Sequence, residues 1–345
     1  MTHRVTVLTG GSTPERDVAI AGSAQVVAAL RQDGHTVSVV DTVSGTLSAS
    51  EEADLLTGGV DREPPTPLIL EALRLRELGP LLAEIAEIKE ADVVFLALHG
   101  RQGEGGEIQA LLDLAGVPYT GSDALGSGVA MAKDIAKRLM RQVGIRTPDW
   151  VMWPAPTKTI DALGWPLIVK PSRVGSTIGL SVVDTEKDLM SAVERAKMYD
   201  DDIMIEQLIR GRELTVGVLG DEALAVGEII PEHDIFDYEC KYTPGMTQEI
   251  FPADLPTKTA AAIQASAAET HRVLKLRDMS RVDFILSTEG NLHCLEANTL
   301  PGLTSTSLLP QSAEAAGIGF RQLCTTLCDL AVDRSRGTKA GSRGF

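Results

Sequence analysis

The sequence predicts a multidomain protein of mixed class, with an open parallel α/β domain at the amino terminus followed by α+β domains built on antiparallel sheets. Three observations carry this. The chain opens as strand, glycine turn, helix and strand (VTVLTGG, ERDVAIAGSAQVVAALRQDG, HTVSVVD), a βαβ unit whose strands run parallel. Farther on, DIMIEQLIRGRELTVGVLGDEALAVGEIIP sets strand after strand without an intervening helix, the pattern of an antiparallel sheet. A chain of 345 residues also exceeds one small core, so two or three domains are expected.

Each element follows from its local pattern. Residues 44–67 are acidic and rich in glycine and proline, which reads as an irregular insertion. A helical period resumes in LILEALRLRELGPLLAEIAEI, and ADVVFLALHG is a buried strand ending at His99. Small-residue turns and a basic helix, MAKDIAKRLMRQVG, lead to a connection, TPDWVMWPAPTKT. WPLIVKPSRVGSTIGLSVV gives two strands around a Gly/Ser loop, and TEKDLMSAVERAKMYDD gives a helix. Helical sequence from Thr257 to Leu276, a strand pair over Arg281–Asn298 and a helix near Phe320–Val332 complete the chain. The terminal DRSRGTKAGSRGF reads as frayed. No internal repeat is present.

Composition narrows the function. Hydrophobic content of 43% and charged content of 23% describe an ordinary folded protein. A formal charge of -16 disfavours nucleic acid as the main partner, because phosphate-backbone binding needs a basic surface. MTHRVTVLTG lacks the pattern of a secretory signal, and no run approaches a membrane span. Four cysteines are few for a disulfide scaffold; Cys324 and Cys328 sit at helical spacing, which suits a buried face better than a metal pair. A reducing cytoplasm is the expected location.

The chemistry gathers in four places. In SRVDFILSTEGNLHCLEAN, two apolar runs flank Glu289-Gly290, which predicts a hairpin with a two-residue turn. That register sets Asp283 opposite Glu296 and Arg281 opposite Asn298. Alternation then puts these four side chains on one face, with Val282, Phe284, Leu286, Leu295 and Ala297 on the other. Two carboxylates and an amide oxygen repel without a cation, and hard oxygen donors suit Mg2+. The competing arrangement is a salt bridge from Arg281 to one acid, which leaves the second uncompensated in an apolar setting.

Lys170 ends a buried strand before Pro-Ser-Arg-Val-Gly-Ser-Thr-Ile-Gly, a loop that reads equally as an anion cradle or a mobile hairpin. It is neither a Walker loop nor a dinucleotide fingerprint. His99 stands at the carboxyl end of a strand, where open α/β domains bind ligands, although a lone histidine is usually structural. Glu15 shares that edge, and an acidic helix start explains it as well. HDIFDYECKYTPGMTQEIFPADLP, with Lys241 and Tyr242, reads either as a lid that excludes water or as a plain surface loop.

Taken together, VLTGGSTPERDVAI, LHGRQGEGGEIQALLDLAGVPYTGS, VKPSRVGSTIGLS, IEQLIRGRELTVGVLG, FDYECKY and above all LEANTLPGLTSTSLLP make the sequence resemble the D-alanine–D-alanine ligases of the ATP-grasp superfamily. The resemblance covers nearly the whole chain. It implies a three-domain ATP-grasp fold: an amino-terminal α/β domain (1–121), a central subdomain with the Gly/Ser phosphate loop (122–205), a carboxy-terminal subdomain with metal site and lid 232–249 (206–335), and a tail (336–345). It implies ATP and two Mg2+ ions, replaceable by Mn2+, with Asp283, Glu296 and Asn298 as metal ligands. Lys133 and Lys170 match the lysines on the ATP phosphates, and Glu206 and Glu213 the acids at the adenine and ribose end. Glu15, His99, Ser176, Lys241, Tyr242, Arg281, Gly302, Ser307 and Leu308 match positions around the two D-amino acids.

Departures from the family pattern are small: Glu104-Gly105-Gly106 for Glu-Asp-Gly, Met131-Ala132-Lys133 for Met-Asp-Lys, and Thr177 for a second loop serine. Lys241-Tyr242 resembles the dipeptide-forming branch. The resemblance implies ATP-dependent joining of two D-alanines through an acylphosphate for peptidoglycan precursors, in a cytoplasmic homodimer with no nucleic-acid or membrane partner. In that chemistry Glu15 holds the first substrate's ammonium, Ser176 and Tyr242 orient it, and Arg281 with the Gly302 amide faces the oxyanion. A related ligase for other D-amino acids is the alternative, and a nucleotide-binding regulator without turnover is the reading from another class.

Overall fold

The computed structural model describes residues 1–60, 65–233, 235, 236, 238–243 and 245–341, with main chain alone at Pro67, Tyr238, Tyr242 and 338–341. Strands β1 (Arg4–Thr9), β2 (Thr36–Asp41), β3 (Gly45–Thr46) and β4 (Val93–Leu96) form the first sheet, in the order β3-β2-β1-β4. β1 runs parallel to β2 and β4, and Val5, Val7 and Leu8 are buried in it. The strand ends at Gly10 and Gly11, both at positive φ. A Cβ on Gly10 would stand 2.1 Å from the Asp41 carboxylate, so only glycine lets the chain turn into the helix Arg16–Gln32. That turn delivers Glu15, and the end of β4 delivers His99, to one edge of the sheet.

The second sheet comprises β5 (Trp150–Met152), β6 (Leu167–Pro171), β7 (Ser181–Val183) and β8 (Ile203–Gln207), in the antiparallel order β5-β8-β6-β7. The helix Glu186–Lys197 presents Leu189, Ala192, Val193 and Ala196 to its core, the stripe expected of an amphipathic helix. The third sheet contains β9 (Gly211–Leu219), β10 (Glu222–Pro231), β11 (Thr247–Ile250), β12 (Met279–Ser287) and β13 (Leu292–Asn298). Its order is β11-β10-β9-β12-β13, antiparallel throughout, and the helix Thr257–Val273 packs on it. Among the described residues no helix is long and apolar enough to cross a membrane.

Packing redraws the expected domain limits. Helices Ala124–Met131 and Lys133–Gln142 belong to the third sheet rather than to a central unit 122–205, because Ala130, Ala136 and Met140 bury against Leu214, Val216 and Phe284. β8 remains in the second sheet through Gln207, so the break falls after it and not at 205/206. The last helix, Phe320–Gly341, packs chiefly on the amino-terminal domain, while it still touches the helix Leu308–Ala315 and pairs Arg334 with Asp278. Its stripe of Leu323, Cys324, Leu327, Cys328 and Ala331 completes the amino-terminal core beside the helix Arg16–Gln32. All four cysteines are buried and free. The expected tail continues that helix as far as Gly341, and residues 342–345 lie outside the described chain. The 44–67 insertion holds β3 and a helix, Ala49–Leu56, started by a reciprocal Ser48–Glu51 cap; residues 61–64 lie outside the described chain.

The hairpin at the site also departs from expectation. Ser287 N–H donates to the Asn291 carbonyl at 2.8 Å, so the turn has three residues, Thr288-Glu289-Gly290, with Gly290 at φ +79°. A bulge then skips Leu295, and beyond it Asp283 pairs with Glu296 and Arg281 with Asn298. The extra turn residue and the bulge cancel. Cys294 therefore takes the core position expected of Leu295, and Leu295 lines the cavity instead.

Candidate active site

Between the second and third sheets lies a cavity of about 780 Å³. β6 contributes Lys170, β8 Glu206, β9 Glu213, β12 Arg281 and Asp283, and β13 Glu296; the Gly/Ser loop, Lys133 and Lys241 close it. Strand alternation is the reason these side chains face one space: β12 and β13 turn polar residues in at every second position and bury Val282, Phe284 and Ala297 behind them.

Cations crowd this end. Lys133 lies 3.2 Å from Glu296 and donates to the Val174 carbonyl at 2.9 Å. Lys170 lies 2.5 Å from Glu206, whose other oxygen is bound by Lys137. Burial alone raises the pKa of Glu296, but Lys133, Lys241, Lys170 and Arg281 outweigh it and hold the carboxyl at about 2. Burial and the neighbouring Lys133 bring Lys170 down to about 8, and burial also lowers Lys241. Glu213, buried and facing Asp283, is pushed up to about 7.

The expected metal trio shares this wall. Asp283 accepts from Thr215 Oγ1 at 2.7 Å, Arg281 Nη2 at 2.9 Å and Asn298 Nδ2 at 3.0 Å. The Arg281 salt bridge weighed against a metal site is therefore made, to Asp283, while Glu296 takes a lysine. Among the described residues no group of three His, Cys, Asp or Glu side chains forms a metal cluster. The donor set nonetheless fits a divalent cation: two carboxylates line the cavity, the Asn298 amide stands beside Asp283, all are hard donors, and Glu296 stays ionised at neutral pH. Asn298 presents its amide nitrogen to Asp283, so acting as a ligand requires its oxygen.

The opposite end is acidic. Glu15 accepts from the Ser176 hydroxyl, which joins the amino-terminal sheet edge to the Gly/Ser loop. Ser176 (φ +52°) and Thr177 (φ +62°) are consecutive left-handed non-glycine residues, a strained turn that aims Ser176 at Glu15 and Thr177 at the 232–249 segment. Thr177 Oγ1 donates to the Phe236 carbonyl at 2.9 Å and receives Lys241 Nζ at 3.0 Å. Glu104 accepts from the N–H groups of Gly100 (3.1 Å) and Leu300 (3.3 Å); burial and Glu15 push it up to about 8. Burial lowers His99, against the pull of Glu15.

Two family models match the chain, "D-ala D-ala ligase N-terminus" over residues 4–122 and "D-ala D-ala ligase C-terminus" over residues 138–329. The chain belongs to the D-alanine–D-alanine ligase family. It is 38% identical to a D-alanine–D-alanine ligase of Desulfotalea psychrophila over 97% of each chain. It is 37% identical to that of Geobacter sulfurreducens over 99% of this chain and 98% of the relative. Among solved structures, the Bacillus anthracis ligase complexed with ATP superposes with a TM-score of 0.76 at 29% identity, covering 98% of this chain and 99% of that one. The ATP-grasp architecture of this ligase family is thus the fold of the chain.

Not every residue matched to the ligase pattern meets the cavity. Glu15, His99, Asn298, Gly302, Ser307 and Leu308 lie outside its wall. Gly302 sits against Ser307, where a Cβ would stand 2.8 Å from the hydroxyl. Leu308 buries its side chain, so only its main chain, at the start of the helix Leu308–Ala315, can meet a ligand. The Tyr242 side chain lies outside the described residues. Sequence reading gave no role to Lys137 or Thr215, and it named Glu104 and Thr177 only as parts of family motifs, without the burial of the first or the link of the second to the 232–249 segment. Lys137 carried a usable signal, since it lies four residues after Lys133 on one helix and so shares its face. Thr215 carried none, because only the β9–β12 register sets it opposite Asp283.

Proposed function

We propose that the chain uses ATP to join two D-alanines into D-alanyl-D-alanine for peptidoglycan precursors. One observation carries this reading: a cation-rich cavity beside a Gly/Ser loop adjoins a cluster of acids, Glu15 and Glu104, and Arg281 neighbours both. A triphosphate suits the first and an amino acid's ammonium the second.

In the first step a carboxylate oxygen of the first D-alanine attacks the γ-phosphorus, and ADP leaves an acylphosphate. Lys133, Lys170 and Lys241 stand where phosphate charge would gather and can neutralise it as it develops. Asp283, Glu296 and Asn298 would hold Mg2+ (two ions, or Mn2+), which supplies further neutralisation of phosphate charge. Glu206 and Glu213 serve the base and ribose end of the nucleotide. Glu15, braced by Ser176, binds the first ammonium, with His99 beside it and Tyr242 orienting the substrate. In the second step the amine of the second D-alanine attacks the acyl carbon and loses a proton, and phosphate departs. Arg281 and the Gly302 amide face the transient oxyanion, and Ser307 and Leu308 close the second subsite. The 232–249 segment, tied to Thr177, acts as a lid that keeps water from the acylphosphate. The protein acts in the cytoplasm as a homodimer.

The test is phosphate release with ATP and D-alanine, D-serine or D-lactate, with dipeptide measured alongside. D-alanine should give the highest kcat/KM and one phosphate per dipeptide. Turnover with D-serine or D-lactate but not D-alanine would overturn the assignment.

A further inference from the structure

Glu206 lies between two lysines. Lys170, on its cavity side, lines the space assigned to the nucleotide; Lys137, on the far side, does not. The Lys137 side chain is only 1% exposed. It bonds Glu206 and stands 4.7 Å from the centre of the Trp150 ring, which Arg141 also approaches at 4.5 Å. A buried lysine behind a cavity wall explains nothing in phosphoryl transfer directly, and its burial in a low-dielectric setting is unfavourable without a return.

The return lies in what happens to Lys170 when an anion enters. In the resting arrangement Lys170 bonds Glu206 at 2.5 Å. To meet a phosphate it must leave that carboxylate. If Lys170 were the sole partner, its departure would strand a buried Glu206 carboxylate without a cation, and breaking one half of a buried pair is strongly unfavourable. Lys137 removes that penalty because it stays on the other oxygen. We propose that Lys137 is a positioning residue that holds Glu206 from behind, so that Lys170 is released to the nucleotide phosphates. The inference rests on the nucleotide reading above. It assigns to Lys137 a role in nucleotide affinity without any contact with the nucleotide.

The test is calorimetric binding of ADP with Mg2+ to the full chain, with steady-state KM values for ATP and D-alanine measured in parallel. Wild-type protein that binds no ADP would overturn the nucleotide reading itself. Given wild-type binding, Lys137→Met should weaken ADP and raise KM for ATP on the order of tenfold, with KM for D-alanine within about twofold. Lys137→Arg, which keeps the charge, should restore most of the affinity. Unchanged ADP affinity in Lys137→Met, or equal losses in the Met and Arg variants, would overturn the proposal. A second arm covers poor folding of the single variant. In a Glu206→Gln background no carboxylate holds Lys170, so adding Lys137→Met should change ADP affinity less than about twofold. A full loss there would show that Lys137 acts through another group, and would equally overturn it.

Discussion

Glu296 and Glu104 are partly buried acids at one site, yet the first is held down at about 2 and the second pushed up to about 8. The difference lies in their company. Glu296 faces Lys133, Lys241, Lys170 and Arg281, whereas Glu104 faces Glu15 and two main-chain N–H groups, with Arg281 its main positive neighbour. Burial penalises the charged form of both; only at the first end do cations outweigh it. The contrast teaches that the site is polarised along its length. An incoming triphosphate finds excess positive charge, and an incoming ammonium finds excess acid. Arg281 belongs to both ends, which suits a group that must follow the reaction from phosphoryl transfer to acyl transfer.

The largest expected effect tests the cationic end. Glu296→Gln removes a carboxylate from the cluster and leaves Lys133 facing a neutral amide. Dipeptide formation should fall about a thousandfold in kcat. A loss below tenfold would break the comparison, because the charge of Glu296 would then not matter to the chemistry. Next comes the acid end. Glu15→Gln should lower kcat/KM for D-alanine on the order of a hundredfold while ADP affinity stays within about twofold. Equal losses of both would mean that the two ends are not separate in function.

How far this polarity was legible in the sequence differs between the ends. Period-2 alternation in β12 and β13 put Arg281, Asp283, Glu296 and Asn298 on one face, and the backbone carries out that alternation at the site. The turn length was misread: a Glu-Gly pair suits two-residue and three-residue turns alike, and the Leu295 bulge leaves no residue-type signature. Because the two errors cancel, the site register came out right while Leu295 was assigned to the wrong face. The parallel amino-terminal sheet was readable because continuous apolar runs alternate with a helical period. Domain limits were not, since the last helix packs back on the first sheet and local pattern carries no information about partners so distant in sequence. The acid end was half readable. His99 and Glu15 stood out at strand ends, but the proton on Glu104 depends on three separate segments meeting around residues 15, 104 and 300.

That proton gives the smallest and most specific test. Glu104 has a raised pKa in the folded protein, about 8 against an ordinary 4.5. The folded state therefore binds one more proton than the unfolded chain between those values. By linkage, the stability tied to that proton is complete below about pH 4.5, declines as pH rises, and is gone above about pH 8. Glu104→Gln keeps an acceptor oxygen for only one of the Gly100 and Leu300 N–H groups, a cost that does not vary with pH, and it cannot ionise, so it escapes the decline. Relative to wild type, the variant should gain a few degrees in melting temperature as pH rises from about 4.5 to 8, with no further gain above that. A difference in melting temperature that stays flat with pH would place a charged Glu104 beside Glu15, and the acid end would then have to draw its cation from elsewhere than the substrate.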